Sequence, residues 1–161
     1  MNTPTGYTVH GGPDGTDSLT NVERVRFADQ YVALDTTGNA GNVAKILGAV
    51  FGPSSVSNKQ YVGIGLHYID GGMTYLDLMQ LALNARLGNG FSTTQEVTLL
   101  FENLLGVSPT QNDLAYWNGT VTSHQYTQLS LAMMAVETSV NTDNIQLAGL
   151  AATGLDYVPF G

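Results

Sequence analysis

Histidine titrates near neutral pH and is the side chain best suited to acid–base or metal chemistry; the chain has three, His10, His67 and His124. They stand far apart, and none forms the H-x-x-x-H or H-E-x-x-H pair that sets two imidazoles on one helix face. Each reads as a surface or helix-face histidine. Two carboxylate pairs, Asp70 with Asp77 and Glu96 with Glu102, would perform general acid–base catalysis if the fold set them on either side of a scissile bond. Their contexts give simpler roles: Asp70 precedes Gly71 and Gly72 as a turn residue does, and Glu96 falls where a carboxylate meets the positive end of a helix. The absence of cysteine excludes thiolate nucleophiles, disulfides and Cys-based zinc sites, and no G-x-S-x-G elbow, P-loop or dinucleotide fingerprint occurs. No residue stands out as catalytic, and the chain is expected not to be an enzyme. Trp117, Tyr116, Phe101, Tyr61, Tyr68 and Tyr75 fall at helical spacing and are expected in the core, with an aromatic ligand groove as the alternative. Met133 and Met134 read as gap-fillers, and Asn118-Gly119-Thr120, although a sequon, reads as a turn.

Composition bounds what can hold these residues in place. At 161 residues, 43% of them hydrophobic, and with a mean hydropathy of +0.02, the chain can bury a core despite its 19 glycines. Only 11% of residues are charged; 5 basic against 13 acidic side chains give a net charge of −8 and an isoelectric point near 4.4. Phosphate backbones need clustered Lys and Arg, so nucleic acid is excluded as a partner. The polarity rests on Asn, Thr, Ser, Gln and Gly, a composition frequent in bacterial extracellular proteins. The start, MNTPTGYTVH, has neither the basic region nor the apolar stretch of a signal peptide, and no run approaches the ~20 apolar residues of a membrane span. Export without an N-terminal signal peptide, and no membrane insertion, are expected.

Periodicity divides the chain into two parts. Residues 7–35, within a segment 1–36, read as β structure, with alternating runs Val22 to Phe27 and Tyr31 to Leu34 about a turn at Ala28-Asp29-Gln30. Past Gly38 the period becomes 3.6: Val43, Ile46, Leu47, Val50 and Phe51 predict a helix ended by Gly52-Pro53. Further helices are expected after the caps Asn58, Thr74 and Thr93, near Asn112, from Ser123 to about Thr138, and from Asp143 to Ala152. A shift of 54 residues lays Val43, Leu47, Val50, Phe51 and Gly52 on Val97, Phe101, Leu104, Leu105 and Gly106. The expected fold is mainly α: a helical domain over 37–161, six to seven helices in two related halves at about 39–87 and 93–140, then a C-terminal tail.

Gly12, Gly15, Asp17 and Leu19 lie where the calcium-binding nonapeptide G-G-x-G-x-D-x-U-x of RTX proteins has its glycines, aspartate and apolar residue, with Pro13 in place of the second glycine. Residues 14–29 and 32–35 resemble the β cap that closes such repeat arrays in bacterial surface proteins exported by type I secretion. The remainder is similar to a helical domain of unknown function found near the C-termini of these proteins. That likeness rests on Ala40-Gly41, Ala49-Val50-Phe51-Gly52, Asp70-Gly71-Gly72-Met73, Ala85-Arg86-Leu87-Gly88 and Glu137-Thr138-Ser139-Val140-Asn141. The chain departs from that domain after the first helix, where Pro53-Ser54-Ser55-Val56 replaces a frequent R-x-P-D loop.

The resemblance implies a non-catalytic C-terminal module acting in export, in capping an upstream β-roll and in surface or matrix assembly. Its alternatives are the terminal fragment of an extracellular hydrolase and a glycan-binding module. It implies a calcium turn at Gly12, Asp14, Gly15 and Asp17, although calcium takes six to eight oxygens and one turn supplies few, so a glycine-rich hairpin is the competing reading. Without an upstream roll, both strands of the β segment are expected to expose edges and to self-associate through Val25, Phe27, Val32 or Leu34. Type I export machinery, the remaining implied partner, reads an uncleaved C-terminal signal, for which Asp156, Tyr157, Val158 and Phe160 are the candidate residues. Pro159 keeps that tail extended.

Overall fold

The computed structural model describes residues 6–10 and 15–161. Among them β1 (Tyr7–His10) and β2 (Thr16–Leu19) pair antiparallel, Tyr7 opposite Leu19 and His10 opposite Thr16. The two alternating runs form a second hairpin, β3 (Arg24–Arg26) and β4 (Tyr31–Ala33), with Val25 opposite Val32. The expectation that both strands expose an edge is corrected by β5 (Leu155–Tyr157), which comes from the C-terminal tail and pairs antiparallel with β4. The sheet order is β3–β4–β5, so β4 is central, and Val32 and Leu34 are buried at 4% and 8% exposure.

Helix α1 (Asn39–Phe51) carries apolar or small residues on nearly every face and is buried almost all round. Gly38 offers no side-chain cap; Asp35 Oδ2 accepts from the Ala40 amide at 3.3 Å, and Gly52, at φ 90°, ends the helix before a 3-10 turn, Pro53–Ser57. As predicted, Asn58 caps α2 (Lys59–Asp70) and Thr74 caps α3 (Tyr75–Leu87). The cap of α4 (Thr93–Leu105) is Ser92, one residue earlier than expected: its side chain accepts from the Gln95 amide and the Gln95 side chain accepts from the Ser92 amide, a reciprocal capping box, and Glu96, which could have served Thr93 in the same way, is buried instead. Thr110 and Asp113 form the same box at α5 (Gln111–Thr122).

Two helix predictions are corrected. The helix expected from Ser123 starts later, as α6 (Gln128–Val136): Ser123 closes α5, His124 turns left-handed at φ 61°, and Thr127 caps the new start. The last expected helix is two, α7 (Ser139–Asn144) and α8 (Leu147–Thr153), parted where Gln146 takes φ 52°. Eight helices result among the described residues.

Sheet and helices are tied by a charge cluster and by the tail. Arg24, on β3, donates from Nε and Nη2 to both oxygens of Asp70 at 3.0 and 2.8 Å, and from Nη1 to Asp35. Asn39 Nδ2 donates to Asp70 at 2.8 Å. Asp70, which the sequence casts as a turn residue, thus anchors the end of α2 to the sheet. Burial opposes the charge on Arg24, but its hydrogen bonds and the charges of Asp35 and Asp70 outweigh it, and the pKa is raised. The tail passes beside α2, with the Val158 amide on the Lys59 carbonyl at 2.9 Å and Lys59 Nζ on Asp156 at 2.8 Å. Gly63 makes that crossing possible, since a Cβ there would stand 1.7 Å from the Val158 carbonyl oxygen. Gly63→Ala is therefore expected to cost about 1–3 kcal/mol and to raise amide hydrogen exchange in residues 154–161. A melt and an exchange pattern unchanged from the parent would show that the tail is not held there.

Candidate functional site: two equivalent apolar grooves

Two apolar depressions open on the helical part. The first, about 300 Å³, lies between α1, α2 and α3; Val43, Ile46, Leu47 and Phe51 form one wall, Tyr61, Ile64 and Tyr68 the second, and Leu78, Leu81, Ala82 and Ala85 the third. The second, about 200 Å³, is built by α4 with Val97, Leu100, Phe101, Leu104 and Leu105, by Trp117 of α5, and by Leu131, Met134, Ala135 and Thr138 along α6 and its end. Val140 of α7 closes it.

The grooves are copies of one another. A shift of 54 residues carries Val43, Ile46, Leu47 and Phe51 onto Val97, Leu100, Phe101 and Leu105. A shift of 53 carries Leu78, Leu81, Ala82 and Ala85 onto Leu131, Met134, Ala135 and Thr138. The halves pack reciprocally: α1 lies on its counterpart α4, α3 on its counterpart α6, and α1 reaches α6 as α4 reaches α3. This is the pattern of an isologous contact, folded within one chain. Asn103 Nδ2 donates to the carbonyl of Ala49, its own equivalent 54 residues earlier, at 2.8 Å, as a contact near the pseudo-twofold axis must.

The aromatic residues are corrected in part by this arrangement. Tyr116 and Tyr61, expected in the core, are 63% and 43% exposed. Tyr116 meets Trp117 edge-on at 4.9 Å, and Tyr61 packs on Phe51 at 5.4 Å, so each groove has an aromatic wall facing solvent. Tyr75 is half-buried and donates to Glu137 at 2.8 Å, while Lys45 Nζ meets both Glu137 oxygens at 2.8 Å. Burial, then the Glu137 hydrogen bond and charge, raise the Tyr75 pKa; for Glu137 the hydrogen bonds from Lys45 and Tyr75 overcome the effect of burial and lower it.

The remaining candidate residues are scattered. Gly12 and Asp14 lie outside the described residues. Gly15 (φ 98°) precedes β2 and Asp17 is exposed opposite Val9; the flanking strands are antiparallel, unlike the successive parallel turns that sandwich calcium in a β-roll. Among the described residues no three His, Asp or Glu side chains come together as metal ligands would. His10 bonds Thr16 at 3.0 Å, His67 stacks edge-on against Tyr68 and Phe160, and His124 is exposed. The proposed acid–base partners are engaged elsewhere: Asp77 accepts from the Thr74 cap at 2.7 Å and Glu102 from Ser108 at 3.0 Å. Val25, Phe27, Val32 and Leu34 do share a surface, lining a cleft under the β1–β2 hairpin; the Tyr7 hydroxyl, there, shares its proton between the carbonyls of Leu34 and Ala151 at 2.8 and 2.9 Å. Asp156 and Tyr157 lie in β5, and Val158 and Phe160 are exposed beyond it.

Comparison with protein-family models, curated proteins and solved structures finds no match.

Glu96, in the first turn of α4 beside Val97, is fully buried and neither carboxylate oxygen has a hydrogen-bond partner. Burial pushes its pKa up to about 8. Below about 4.5, folded and unfolded chains both hold the proton. As pH rises from there towards about 8 only the folded chain keeps it, so stability falls by up to about 1.4 kcal/mol per pH unit and then levels off. Glu96→Gln is expected to remove that slope. Melts of both proteins at pH 5 and pH 8 test it, and an identical pH dependence in the variant would place the effect on another group.

Proposed function

We propose that this chain is a non-catalytic C-terminal module of an exported, surface-associated bacterial protein, with the sheet β3–β4–β5 capping an upstream β-roll and the helices serving assembly. The observation that carries the reading is the asymmetry of that sheet. The β5 edge lies against α2, with the Val158 amide on the Lys59 carbonyl and Lys59 on Asp156, while β3 pairs only with β4 among the described residues and keeps an open edge. A cap needs such a difference: one side able to receive the last strand of an array, and another that stops growth. Val25 and Phe27, half-buried on the cleft face, supply the apolar contact that a stacked turn would complete. When no roll is present, the same edge and face are where we propose that copies of the chain self-associate.

The apolar character of the groove beside Trp117 argues against glycan binding. Thr138 is the one polar residue lining it, and its hydroxyl is already bonded to the Ala135 carbonyl at 2.7 Å, leaving nothing to match sugar hydroxyls. Secretion through an uncleaved C-terminal signal is compatible with a tail that is extended and packed only once the chain has folded.

Fusing the chain behind a calcium-responsive β-roll array tests the cap directly. The array is expected to fold at lower calcium when the chain follows it, and to lose the benefit with Val25→Lys and Phe27→Lys while helical circular dichroism is retained. An array whose calcium titration is the same with and without the chain would defeat the capping role.

A further inference from the structure

The two grooves share a plan and differ in charge. All five Lys and Arg residues lie at or before Arg86, and the chain beyond it holds six carboxylates and no Lys or Arg. Three of the six are spoken for: Glu96 is buried, Glu137 is held by Lys45 and Asp156 by Lys59. The others, Glu102, Asp113 and Asp143, have no Lys or Arg within ion-pair distance among the described residues. Two of them, Asp113 and Asp143, flank the α4–α7 groove. Asp113 is one turn before Trp117 on α5 and Asp143 is one turn past Val140 on α7, whereas Glu102 lies on the other side of α4, in a depression it shares with Arg86, Thr98 and Leu99. At the groove mouth Leu105 and Val140 are exposed, and Met134, an adaptable side chain, lies on the third wall.

We propose that the α4–α7 groove receives a cationic amphipathic helix of a partner protein. From Val97 to Leu105 its wall is about 12 Å long, room for roughly two turns presenting apolar residues at i, i+3 or i+4, and i+7. Lys or Arg on the flanks of that helix meets Asp113 and Asp143. A second copy of the chain does not suit the site, because docking would bring one uncompensated acidic rim against another. The α1–α3 groove is the built-in control. Its third wall ends at Ala85 next to Arg86, Lys45 and Lys59 are already paired with Glu137 and Asp156, and Asp70 is held by Arg24, so the same helix meets Arg86 and a single unpaired carboxylate, Asp77, there. The assignment is independent of the capping role, which concerns the sheet.

The probe is a fluorescent 18-residue amphipathic peptide of Leu and Lys, compared with a Leu/Glu peptide of the same pattern and with a scrambled Leu/Lys peptide. Met134→Lys and Leu81→Lys are equivalent substitutions in the two grooves, at positions 38% and 37% exposed, where a long polar side chain is tolerated. Saturable binding of the Leu/Lys helix alone is expected, weakened at least tenfold by Met134→Lys and by Asp113→Asn with Asp143→Asn, and left within twofold by Leu81→Lys. Absence of binding, equal binding of the Leu/Glu or scrambled peptide, or equal loss in Leu81→Lys would overturn the assignment. So would a dimer in light scattering that Met134→Lys dissolves, since the occupant would then be a second copy. Circular dichroism of each variant separates loss of binding from loss of fold.

Discussion

Water is shut out from almost the whole of α1: nine of its thirteen residues are buried, so every face of the helix must be met by another element. Small residues set how near those elements come. A Cβ on Gly48 would lie 2.3 Å from Ile145 Cγ2, and one on Gly65 would lie 2.7 Å from Val43 Cγ1, so α7 and α2 both approach α1 more closely than alanine would allow. Asn141 occupies the seam with α7, donating from Nδ2 to the carbonyls of Lys45 and Val136 at 2.9 and 2.8 Å. That bond joins the middle of the first helix to the end of the second half, which makes the two halves one core.

The pseudo-twofold relation explains why grooves remain at all. Each three-helix unit has one face for its twin, where α1 meets α4 and α3 meets α6. The opposite face of each unit is not covered by its twin, so its apolar residues are left lining a depression, which in the second unit Val140 of α7 closes at one side. The two units are not equal. Asn42 stands where Glu96 stands in the second half, Tyr61, Ile64 and Tyr68 line the α2 wall where Trp117 lines that of α5, and Lys and Arg occur only in the first unit. Two surfaces of similar shape that differ in charge discriminate between ligands by charge rather than by fit.

Much of this was legible in the sequence because it is encoded locally. Asn58 and Thr74 cap where a polar side chain precedes an apolar period, Gly52 stops α1 where a positive φ is needed, and the 54-residue shift found the duplicated wall. The rest depends on pairs distant along the chain. Nothing near Arg24 announces Asp70, 46 residues away, and nothing in the tail announces that Leu155 to Tyr157 will pair with β4. The second wall was missed because its shift is 53, not 54: a one-residue deletion in the intervening loops hides it from a single-offset comparison, although Leu78 to Leu131 and Ala82 to Ala135 were there to find. The breaks at His124 and Gln146 were missed for another reason, since neither residue type marks a left-handed turn as glycine does.

The same distant pairs bear on what the proposed cap could withstand. β3 has only three residues and one strand partner, too little pairing to hold an array by backbone bonds alone. Arg24 lies within it, and through a bidentate bond to Asp70 and a further bond to Asp35 it grips the end of α2 and the approach to α1 at once. β4 is gripped from its other side by β5, whose Asp156 pairs with Lys59 at the start of α2. Helix α2 is thus fastened to the sheet at both ends, by its C-terminal Asp70 and its N-terminal Lys59. A load on the β3 edge is passed to a helix packed along α1, and the core of the molecule, rather than the hairpin, resists it.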